Sequence, residues 1–577
     1  MDERGGVNEF YVDRLEFLKY SVAGSVAVWA GSASAGMSEA EAQELFAVDR
    51  RRRAAEIFPQ GVASGDPRPN GIVLWTRIRT RRRGEQRVAW EISRDRSFRR
   101  PLLRGVARTN KGRDHTIKVQ VRRTELKPFR TYYYRFIYDR TASRIGRFKT
   151  LPAPNAEVSR VRFGCISCQD YTNGYYNALR YLSREDVDYI LHLGDYIYET
   201  VDEASFQGGG PPERRFGLPP GGDPSEADTL QNYRFLYKKY RSDRDLQRLH
   251  ENFAFITTWD DHEFANDAYK DVAPDAATGG DPVPARRSAA NRAWAEYMPA
   301  GVPYDAGRGP LGEILIYRSF AFGNLMELVM TDERLYRDGP PCGLQTQQRY
   351  LTPGCGAEKK QGRTMLGATQ KRYFLNKILN SSRRWKVWGN EVMFMQFKVA
   401  NTYLGDLFPG LPVPTGTDGV YVNLDQWDGY GAERAEITRR IRERSVENFV
   451  VLTGDIHSFI AGYVKQDYDN PLPTDRAGVC FVVGSVTSSN LQEIATFGRG
   501  GHAAPPVDDF TATVEASNPH IEFFDSSTHG YNLVEVTPEA LTCTMKAVST
   551  IRERRASLRT LKRFRVPSGQ IRIVDTT

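Results

Sequence analysis

Cysteine is scarce in this chain of 577 residues, which contains only six. Cys165 and Cys168 form a C-x-x-C motif, a pattern found in redox and zinc proteins. The sequence has no second C-x-x-C pair to complete a four-thiolate site, which argues against structural zinc. Cys342 and Cys355 flank a loop rich in Gly, Pro and Gln, and they form either a loop-closing disulfide or two free thiols.

Long apolar runs are also missing, so the sequence predicts no membrane-spanning helix. The apolar run at 21–30 is too short to cross a bilayer, and an A-x-A pattern follows it at 33–36. We therefore expect an export signal over residues 1–36, the alternative being an ordinary N-terminal helix. Residues 14–19 resemble a twin-arginine signal in which Leu15 replaces the second arginine. This predicts a secreted or cell-envelope protein that uses the twin-arginine export machinery.

The charge balance is only mildly one-sided, with a formal net charge of +9. Spread over a chain of this length, the excess is too small to indicate a specific nucleic-acid partner. A modest positive field still favours anionic substrates. A hydrophobic fraction of 40% and a charged fraction of 26% are typical of a folded globular protein and exclude extensive disorder.

The rest of the chain shows two different patterns of predicted secondary structure. After a linker at 37–55, residues 56–152 contain β-rich runs separated by turn residues. This spacing predicts an all-β sandwich of immunoglobulin or fibronectin type. From 153 to 577 strands alternate with helices, which predicts a layered α/β domain. Because acids and histidines cluster in the second part, we expect it to be the catalytic domain.

Three hydrophobic runs of the α/β domain end in side chains that can bind metal. They are followed by Asp195 and Tyr198, by Asp260, Asp261 and His262, and by Asp455 and His457. In α/β folds the catalytic groups lie beyond the carboxyl ends of the strands. Carboxylates and imidazoles gathered in one cleft are what a hydrolytic metal site requires. Two plainer alternatives remain, in which Tyr198 only packs and the acidic run at 260–263 is a salt-bridged strand end.

The order of these motifs resembles a known family. Gly-Asp-x-x-Tyr, Asp-His-Glu and Gly-Asp-x-His are similar to the metal-binding motifs of calcineurin-like metallophosphoesterases, and the Asp-x-x-Tyr spacing is similar to that of purple acid phosphatases. A closer resemblance, over nearly the whole chain, is to PhoD-type phosphatases (alkaline phosphatase D), some of which are described as phospholipase D. The segments that carry it are 61–67, 74–77, 167–169, 194–199, 259–263, 331–334, 423–430 and 454–457. The resemblance implies a metallophosphoesterase-like catalytic fold that hydrolyses phosphate esters.

The resemblance also implies an Fe³⁺ ion with Ca²⁺ nearby. Carried over by motif, the iron ligands are Cys168, Asp195, Tyr198, Asp455 and His457. Thiolate and phenolate are anionic donors that stabilise ferric iron, and carboxylates suit calcium. The calcium candidates are Asp195, Asp260 and Asp261. Which of the last two binds metal stays open, although an Asn at this place in related enzymes favours Asp261. The usual Asp-x-His motif is absent and Cys168 takes its place, which favours iron over a two-zinc site.

Three further residues are candidates for direct action on the substrate. Arg334 and Asn390 follow strands of the same domain, and we expect them to clamp phosphate because a guanidinium matches phosphate oxygens bidentately. A salt bridge between Arg334 and Asp332 is the alternative. His262 is predicted to stabilise the transition state or to protonate the leaving oxygen. His529 and its two neighbours are a further candidate, at the edge of the cleft.

The sequence therefore predicts a monomeric, metal-dependent phosphoric ester hydrolase for small-molecule or lipid phosphate esters. The alternative within the same class is a phosphodiesterase or phospholipase D that acts on diesters or lipid head groups. A different class is also conceivable, namely a metal- or phosphate-binding surface protein whose sandwich domain does the binding. The predicted phosphate clamp argues against that class, since a purely structural metal site needs none.

Overall fold

The structure is a computed structural model that describes residues 28–29, 38–49, 51–201, 203–207, 209–275, 279–407, 413–470, 472–498 and 507–577. The predicted export signal lies outside the described residues, apart from Val28 and Trp29, whose backbone pairs with that of Val119 and Gln120. The export signal therefore stays a prediction.

The described residues contain 26 strands. In chain order they are β1 (Val28–Trp29), β2 (Val62–Arg68), β3 (Gly71–Arg77), β4 (Gln86–Ser93), β5 (Leu103–Thr109), β6 (Thr116–Arg122), β7 (Thr131–Tyr138), β8 (Thr141–Ala142), β9 (Gly146–Lys149), β10 (Val161–Ile166), β11 (Tyr189–Leu193), β12 (Ala254–Thr258), β13 (Arg318–Phe322), β14 (Met326–Met330), β15 (Tyr350–Thr352), β16 (Trp385–Gly389), β17 (Lys398–Ala400), β18 (Gly419–Asn423), β19 (Phe449–Thr453), β20 (Phe459–Lys465), β21 (Arg476–Val482), β22 (Ile521–Asp525), β23 (His529–Val536), β24 (Ala540–Val548), β25 (Leu558–Pro567) and β26 (Val574–Asp575). Strands β11, β12 and β19 are buried along their whole length, which is typical of parallel strands covered on both faces.

The helices lie mainly between strands. The α-helices are α1 (Glu39–Phe46), α2 (Ala54–Ile57), α3 (Asn177–Leu182), α4 (Ala204–Gln207), α5 (Leu230–Tyr240), α6 (Arg244–Asn252), α7 (Pro284–Tyr297), α8 (Thr346–Arg349), α9 (Gly367–Leu379), α10 (Asn401–Leu407), α11 (Gly431–Glu443), α12 (Leu491–Gly498) and α13 (Val507–Ser517). Short 3-10 helices cover Lys111–Arg113, Pro212–Arg214, Asp261–Glu263, Ala306–Arg308, Ala357–Lys359, Trp427–Tyr430 and Pro473–Asp475. Helix α5 shows why such segments pack: it buries Tyr233, Leu236, Tyr237 and Tyr240, which share one face.

Two large sheets form the centre of the molecule. The larger has eleven strands in the order β1-β6-β3-β2-β12-β11-β10-β23-β24-β25-β26, and the other has seven in the order β13-β14-β16-β19-β21-β20-β22. Strands β2, β12, β11 and β10 are parallel, and so are β14, β16, β19 and β21. Each sheet therefore has a parallel centre, and the carboxyl ends of its strands are where α/β folds bind ligands.

The two sheets enclose an apolar core. Leu191 of β11 lies in it with Leu328 of β14, Val387 of β16 and Leu452 of β19. On the other face of the larger sheet, helices α3, α5, α6 and α7 pack in a second apolar cluster. Helices α9, α11 and α13 cover the seven-stranded sheet in the same way. These layers confirm the predicted mixed α/β architecture.

The N-terminal region is all-β, as predicted, but it shares a sheet with the following domain. Strands β2, β3 and β6 belong to the eleven-stranded sheet, in which β2 pairs in parallel with β12. Strands β4, β5, β7, β8 and β9 form a separate sheet of five. The described region thus contributes to two sheets, and the immunoglobulin or fibronectin topology stays a prediction.

Two simpler questions from the sequence have clear answers. Cys342 and Cys355 form a disulfide, whereas Cys165 and Cys168 are unbonded and buried. Cys165 lies in the core between the sheets, so the C-x-x-C pair does not act as a unit. None of the helices in the described part of the chain combines the length and the apolar character that crossing a membrane requires.

Candidate metal centre

The strand ends bring the predicted ligands together from both sheets. Cys168 follows β10, Asp195 follows β11 and Asp260 follows β12, while Asp455 and His457 follow β19. Nine of the ten predicted site residues are joined by the contacts described below. The tenth, Asn390, follows β16, is fully buried, and donates its amide to the carbonyl of Val392 at 2.7 Å.

The backbone at these strand ends adopts an uncommon conformation. Cys168, Asp195, Asp455 and His457 have φ values of 56°, 57°, 68° and 54°, in the left-handed region that residues other than glycine seldom adopt. Such strain is typically kept where a site needs it. Gly194 also has a positive φ of 100°, and a Cβ there would lie 2.5 Å from Cβ of Asp260. Only glycine lets these two loops approach so closely.

The first group of donors combines a thiol, a carboxylate, a phenol and an imidazole. Donor atoms of Cys168, Asp195 and His457 lie within 4.8 Å of one another. Oη of Tyr198 donates to Oδ2 of Asp195 at 2.8 Å and lies 3.3 Å from Nε2 of His457. Nδ1 of His457 must carry a proton, because its partner at 2.6 Å is the carbonyl of Ser489. The lone pair of Nε2 therefore faces the other donors, as in metal-bound imidazoles.

A second, acidic group adjoins the first. Carboxylate oxygens of Asp260, Asp261 and Asp455 lie within 4.8 Å of one another, and Asp195 is equally close to Asp261 and His262. Oδ1 of Asp195 and Oδ2 of Asp260 are buried without a hydrogen-bond partner among the described residues. A buried carboxylate oxygen without a partner is costly, so these oxygens are placed for a ligand from outside the polypeptide.

The pKa values show how unfavourable this arrangement is for the protein alone. Burial raises the pKa of Asp195 to about 7, and burial raises that of Asp455 to about 6 although Arg334 opposes the shift. Burial also raises the pKa of the Cys168 thiol and of Asp260. A bound cation would reverse these shifts, because it favours the ionised form of each ligand.

Arg334 is surrounded by carboxylates. Its guanidinium donates to Asp260 at 2.5 Å, to Asp425 at 2.5 Å and to Asp455 at 3.0 Å. It is fully buried, and Asp261 lies 3.6 Å from it. The alternative ion pair with Asp332 does not form, since that carboxylate accepts the backbone N–H of Arg334 instead. All three nitrogens therefore already have anionic partners.

His262 is held by an acid that the sequence analysis left without a role. Nδ1 of His262 lies 2.7 Å from Oε2 of Glu199, and its ring lies 4.0 Å from that of Tyr198. Burial opposes a charged ring, but Glu199 and Asp261 outweigh it and raise the pKa of His262 well above its ordinary value. The acid–imidazole pair places a cationic ring beside the carboxylates.

Other residues of the site were not predicted. Glu263 accepts the backbone N–H groups of Asp195, Tyr196 and Asp260 at 2.7–3.0 Å, and so ties two ligand loops together. Asp425 and Gln426 bind Arg334 and Asp455 respectively. Asp425 and Gln426 lie in the segment 423–430 that matches the family, so the sequence contained a signal for these residues although it did not reveal their contacts.

The donor set fits metal ions. Thiolate, phenolate, imidazole and carboxylate in one group suit a transition metal, and the carboxylate oxygens of Asp260, Asp261 and Asp455 suit a hard cation. An α/β fold with two such groups at its strand ends has the architecture of a metal-dependent hydrolase.

Comparison with known proteins leads to a family. A family model described as PhoD-like phosphatase matches residues 163–545, and one described as PhoD-like phosphatase, N-terminal domain, matches residues 40–152. Alkaline phosphatase D of Bacillus subtilis (strain 168) is 31% identical over 541 residues, which are 92% of this chain and 84% of the relative. A solved structure, "Structure of PhoD", matches with a TM-score of 0.77 at 29% identity and covers 91% of this chain and 93% of that one. The chain therefore belongs to the PhoD-like phosphatase family, and it is a phosphoric ester hydrolase.

Proposed function

We propose that the two donor groups form one hydrolytic centre, with Fe³⁺ in the first group and Ca²⁺ in the second. Cys168, Asp195, Tyr198, Asp455 and His457 would hold the iron, and Asp195, Asp260 and Asp261 the calcium. The observation that carries the proposal is the convergence of these donors around buried carboxylate oxygens that have no hydrogen-bond partner among the described residues. Ions bound there supply the Lewis acidity and the activated water that phosphoryl transfer requires.

The position of Asp455 supports sharing between the two groups. Its carboxylate lies within 4.8 Å of those of Asp260 and Asp261, while the neighbouring His457 belongs to the first group. Asp260 and Asp261 both have a carboxylate oxygen in the second group, so the geometry favours both as metal ligands. The amide side chain of Gln426 donates to Asp455 and fixes its orientation.

His262 is the residue that we propose to act on the leaving group. Because Glu199 engages Nδ1, the other ring nitrogen is directed away from this acid. His262 is 7% exposed, so the ring can meet an ester oxygen at the site. Protonation of a leaving oxygen by a positioned imidazole typically contributes 10²–10⁴-fold to the rate.

The contacts of Arg334 favour a modified role for the predicted clamp. Since its nitrogens are bonded to carboxylates, a phosphate has to displace an existing ion pair to reach them. We propose that Arg334 mainly holds Asp260, Asp425 and Asp455 in place. The engaged amide of Asn390 favours a similar supporting role.

The decisive experiment is metal analysis combined with turnover of two esters. We expect purified protein to contain iron and calcium and to cleave p-nitrophenyl phosphate, with the activity abolished by chelator. Comparing p-nitrophenyl phosphate with its bis ester distinguishes a monoesterase from the diesterase alternative. Metal-replete wild-type protein that binds phosphate but cleaves neither ester would contradict the proposal.

Export stays a proposal that one structural feature supports. The Cys342–Cys355 disulfide is a bond typical of oxidising compartments outside the cytosol. Fractionation of cells that carry wild-type protein, or a variant with Arg14 replaced by Lys, tests the twin-arginine route. The predicted monomer is tested by the mass of the purified protein in solution.

A further inference from the structure

One buried loop supports two of the proposed ligands from behind. Ser485, Ser488 and Ser489 lie in the loop after β21 and are at most 2% exposed. Oγ of Ser488 lies 2.6 Å from Oη of Tyr198. The carbonyl of Ser489 accepts from Nδ1 of His457 at 2.6 Å. The loop thereby orients a phenol and an imidazole of the first donor group.

The same loop holds the backbone of a third ligand. The amide nitrogens of Thr487 and Ser488 donate to the carbonyl of Cys168 at 3.3 and 3.2 Å. A displacement of the loop would therefore move Cys168, Tyr198 and His457 together.

A histidine outside the donor groups fixes this loop. Oγ of Ser485 donates to the carbonyl of Ser488 at 2.6 Å, which commits its only proton. Nδ1 of His529 lies 2.9 Å from that Oγ, so the imidazole must be the donor. Nε2 of His529 lies 3.2 Å from a carboxylate oxygen of Glu493, which also pairs with Arg552 at 3.0 Å. The ring thus connects the loop to a charged pair nearer the surface.

The strand that carries His529 fixes the position of its ring. His529 is the first residue of β23, which pairs with β10 and β24 in the larger sheet. The next residue, Gly530, donates its N–H to the carbonyl of Ser485 at 3.0 Å. A Cβ at Gly530 would lie 1.8 Å from the carbonyl oxygen of Lys546, so only glycine fits. Two bonds from adjacent residues therefore hold the start of the loop against the sheet.

We propose that His529 is a positioning residue of the metal centre, which fixes Ser485 and through it the loop that orients Tyr198 and His457. This inference rests on the proposed function and adds to it a residue that touches neither metal nor substrate. Partners that orient metal ligands typically contribute 10–100-fold to metal affinity or activity. Because His529 acts through one intervening loop, we expect an effect of about tenfold.

The test compares two substitutions of His529 with one control substitution at another histidine, His520. His529→Leu removes both ring contacts, whereas His529→Asn places its amide nitrogen near the position of Nδ1 and so keeps an N–H donor for Ser485. His520→Leu is the matched control, because His520 is also buried and bonds the carbonyl of Gln396 at 2.8 Å, away from the loop. The measurements are iron affinity by equilibrium dialysis, the visible absorption band of a phenolate bound to Fe³⁺, kcat, and the unfolding temperature.

We expect His529→Leu to weaken iron binding and kcat about tenfold and to shift the absorption band, while KM changes little. His529→Asn should restore most of the loss, and His520→Leu should leave the band at its wild-type position. Ser485→Ala should reproduce the shift, and adding it to His529→Leu should cause no further loss, because both act on one contact. If His529→Leu does not fold, His529→Asn and Ser485→Ala still decide the question through the band and the iron affinity.

The outcomes separate this inference from the proposed function. Folded His529→Leu and Ser485→Ala proteins with wild-type band position and iron affinity would overturn the positioning role alone. Wild-type protein that binds no iron would overturn the proposed function, whatever the variants do.

Discussion

Buried aspartates at two places in this molecule differ in how completely their carboxylate oxygens are hydrogen-bonded. At the junction of β2 and β13, the carboxylate of Asp66 accepts from Arg318 at 2.7–3.1 Å and from the backbone of Gly301 at 2.7 Å. At the proposed metal centre, Asp195 and Asp260 each keep one buried oxygen without a partner in the described part of the chain. Asp66 and Asp195 share a left-handed backbone, with φ values of 44° and 57°. Strain alone therefore does not mark the functional residue, and the two aspartates of the proposed centre differ from Asp66 in each keeping an unsatisfied oxygen.

The two places also carry opposite excess charge. The junction adds Lys118, whose ammonium donates to the carbonyls of Ala295 and Ala300 rather than to an acid. The metal centre instead gathers five aspartates around Arg334 and His262. An excess of buried positive charge beside Asp66 is a cost that the fold tolerates. An excess of negative charge at the strand ends is a cost that bound cations would remove.

The largest effect is expected from Asp195→Asn. Asparagine tolerates the left-handed backbone, so the substitution removes mainly the charge. We expect kcat/KM to fall by about a thousandfold, because a ligand shared between the two donor groups is lost. Without metal, the variant should be about 1 kcal/mol more stable than wild type, since a costly buried carboxylate is gone. Activity assays and urea denaturation in chelator measure the two quantities. A variant that keeps its metal and its activity would show that Asp195 is not a ligand.

The same substitution at the junction, Asp66→Asn, should have the opposite pattern. It leaves Arg318 buried without a counter-ion, which typically costs 3–5 kcal/mol of unfolding free energy. The folded fraction should keep wild-type kcat, because Asp66 lies outside the donor groups. Urea denaturation and activity per folded molecule measure this. Replacing Arg318 by Met in the same chain should restore part of the stability. A loss of kcat in fully folded Asp66→Asn would break the comparison.

The sequence indicated where the strand-end donors lie better than it indicated their partners, for a physical reason. Asp195, Asp260 and Asp455 directly follow buried apolar strands, and this local pattern indicates where they lie. The partners of these residues come from distant segments and depend on tertiary contacts. Asp425 reaches Arg334 across 91 positions, and the loop at Ser488 reaches Tyr198 across 290. Strand pairing has the same limit, since nothing local reveals that β2 pairs with β12.

Glu199→Gln tests the part of the centre that acts on the substrate rather than on the ions. It keeps a hydrogen bond to Nδ1 of His262 but removes the charge that favours the protonated ring. We expect kcat to fall about tenfold to a hundredfold with metal content unchanged. Glu226→Gln is the control, because that acid pairs with Arg286 instead. Loss of metal together with activity would contradict the assignment and place Glu199 among the residues that maintain the ion sites.

At Lys118 the expected effect depends on pH. Burial lowers the pKa of this ammonium from 10.5 to about 7 in the folded protein, although Asp66 opposes the shift. Between these two values the unfolded chain binds a proton that the folded chain does not. The free energy of unfolding should therefore rise with pH from about 7 to about 10.5, by at most about 1.4 kcal/mol per pH unit from this group.

Lys118→Met removes this contribution. Urea denaturation at several pH values measures the unfolding free energy of both proteins. As the pH rises through this range, wild type should become more stable relative to the variant. Subtracting the variant cancels the titration of all other groups, so the difference reports Lys118 alone. Parallel pH profiles would mean that the ammonium keeps its charge beside Asp66. In that case the junction would keep its excess positive charge over this pH range, and the contrast in charge with the proposed metal centre would not depend on pH.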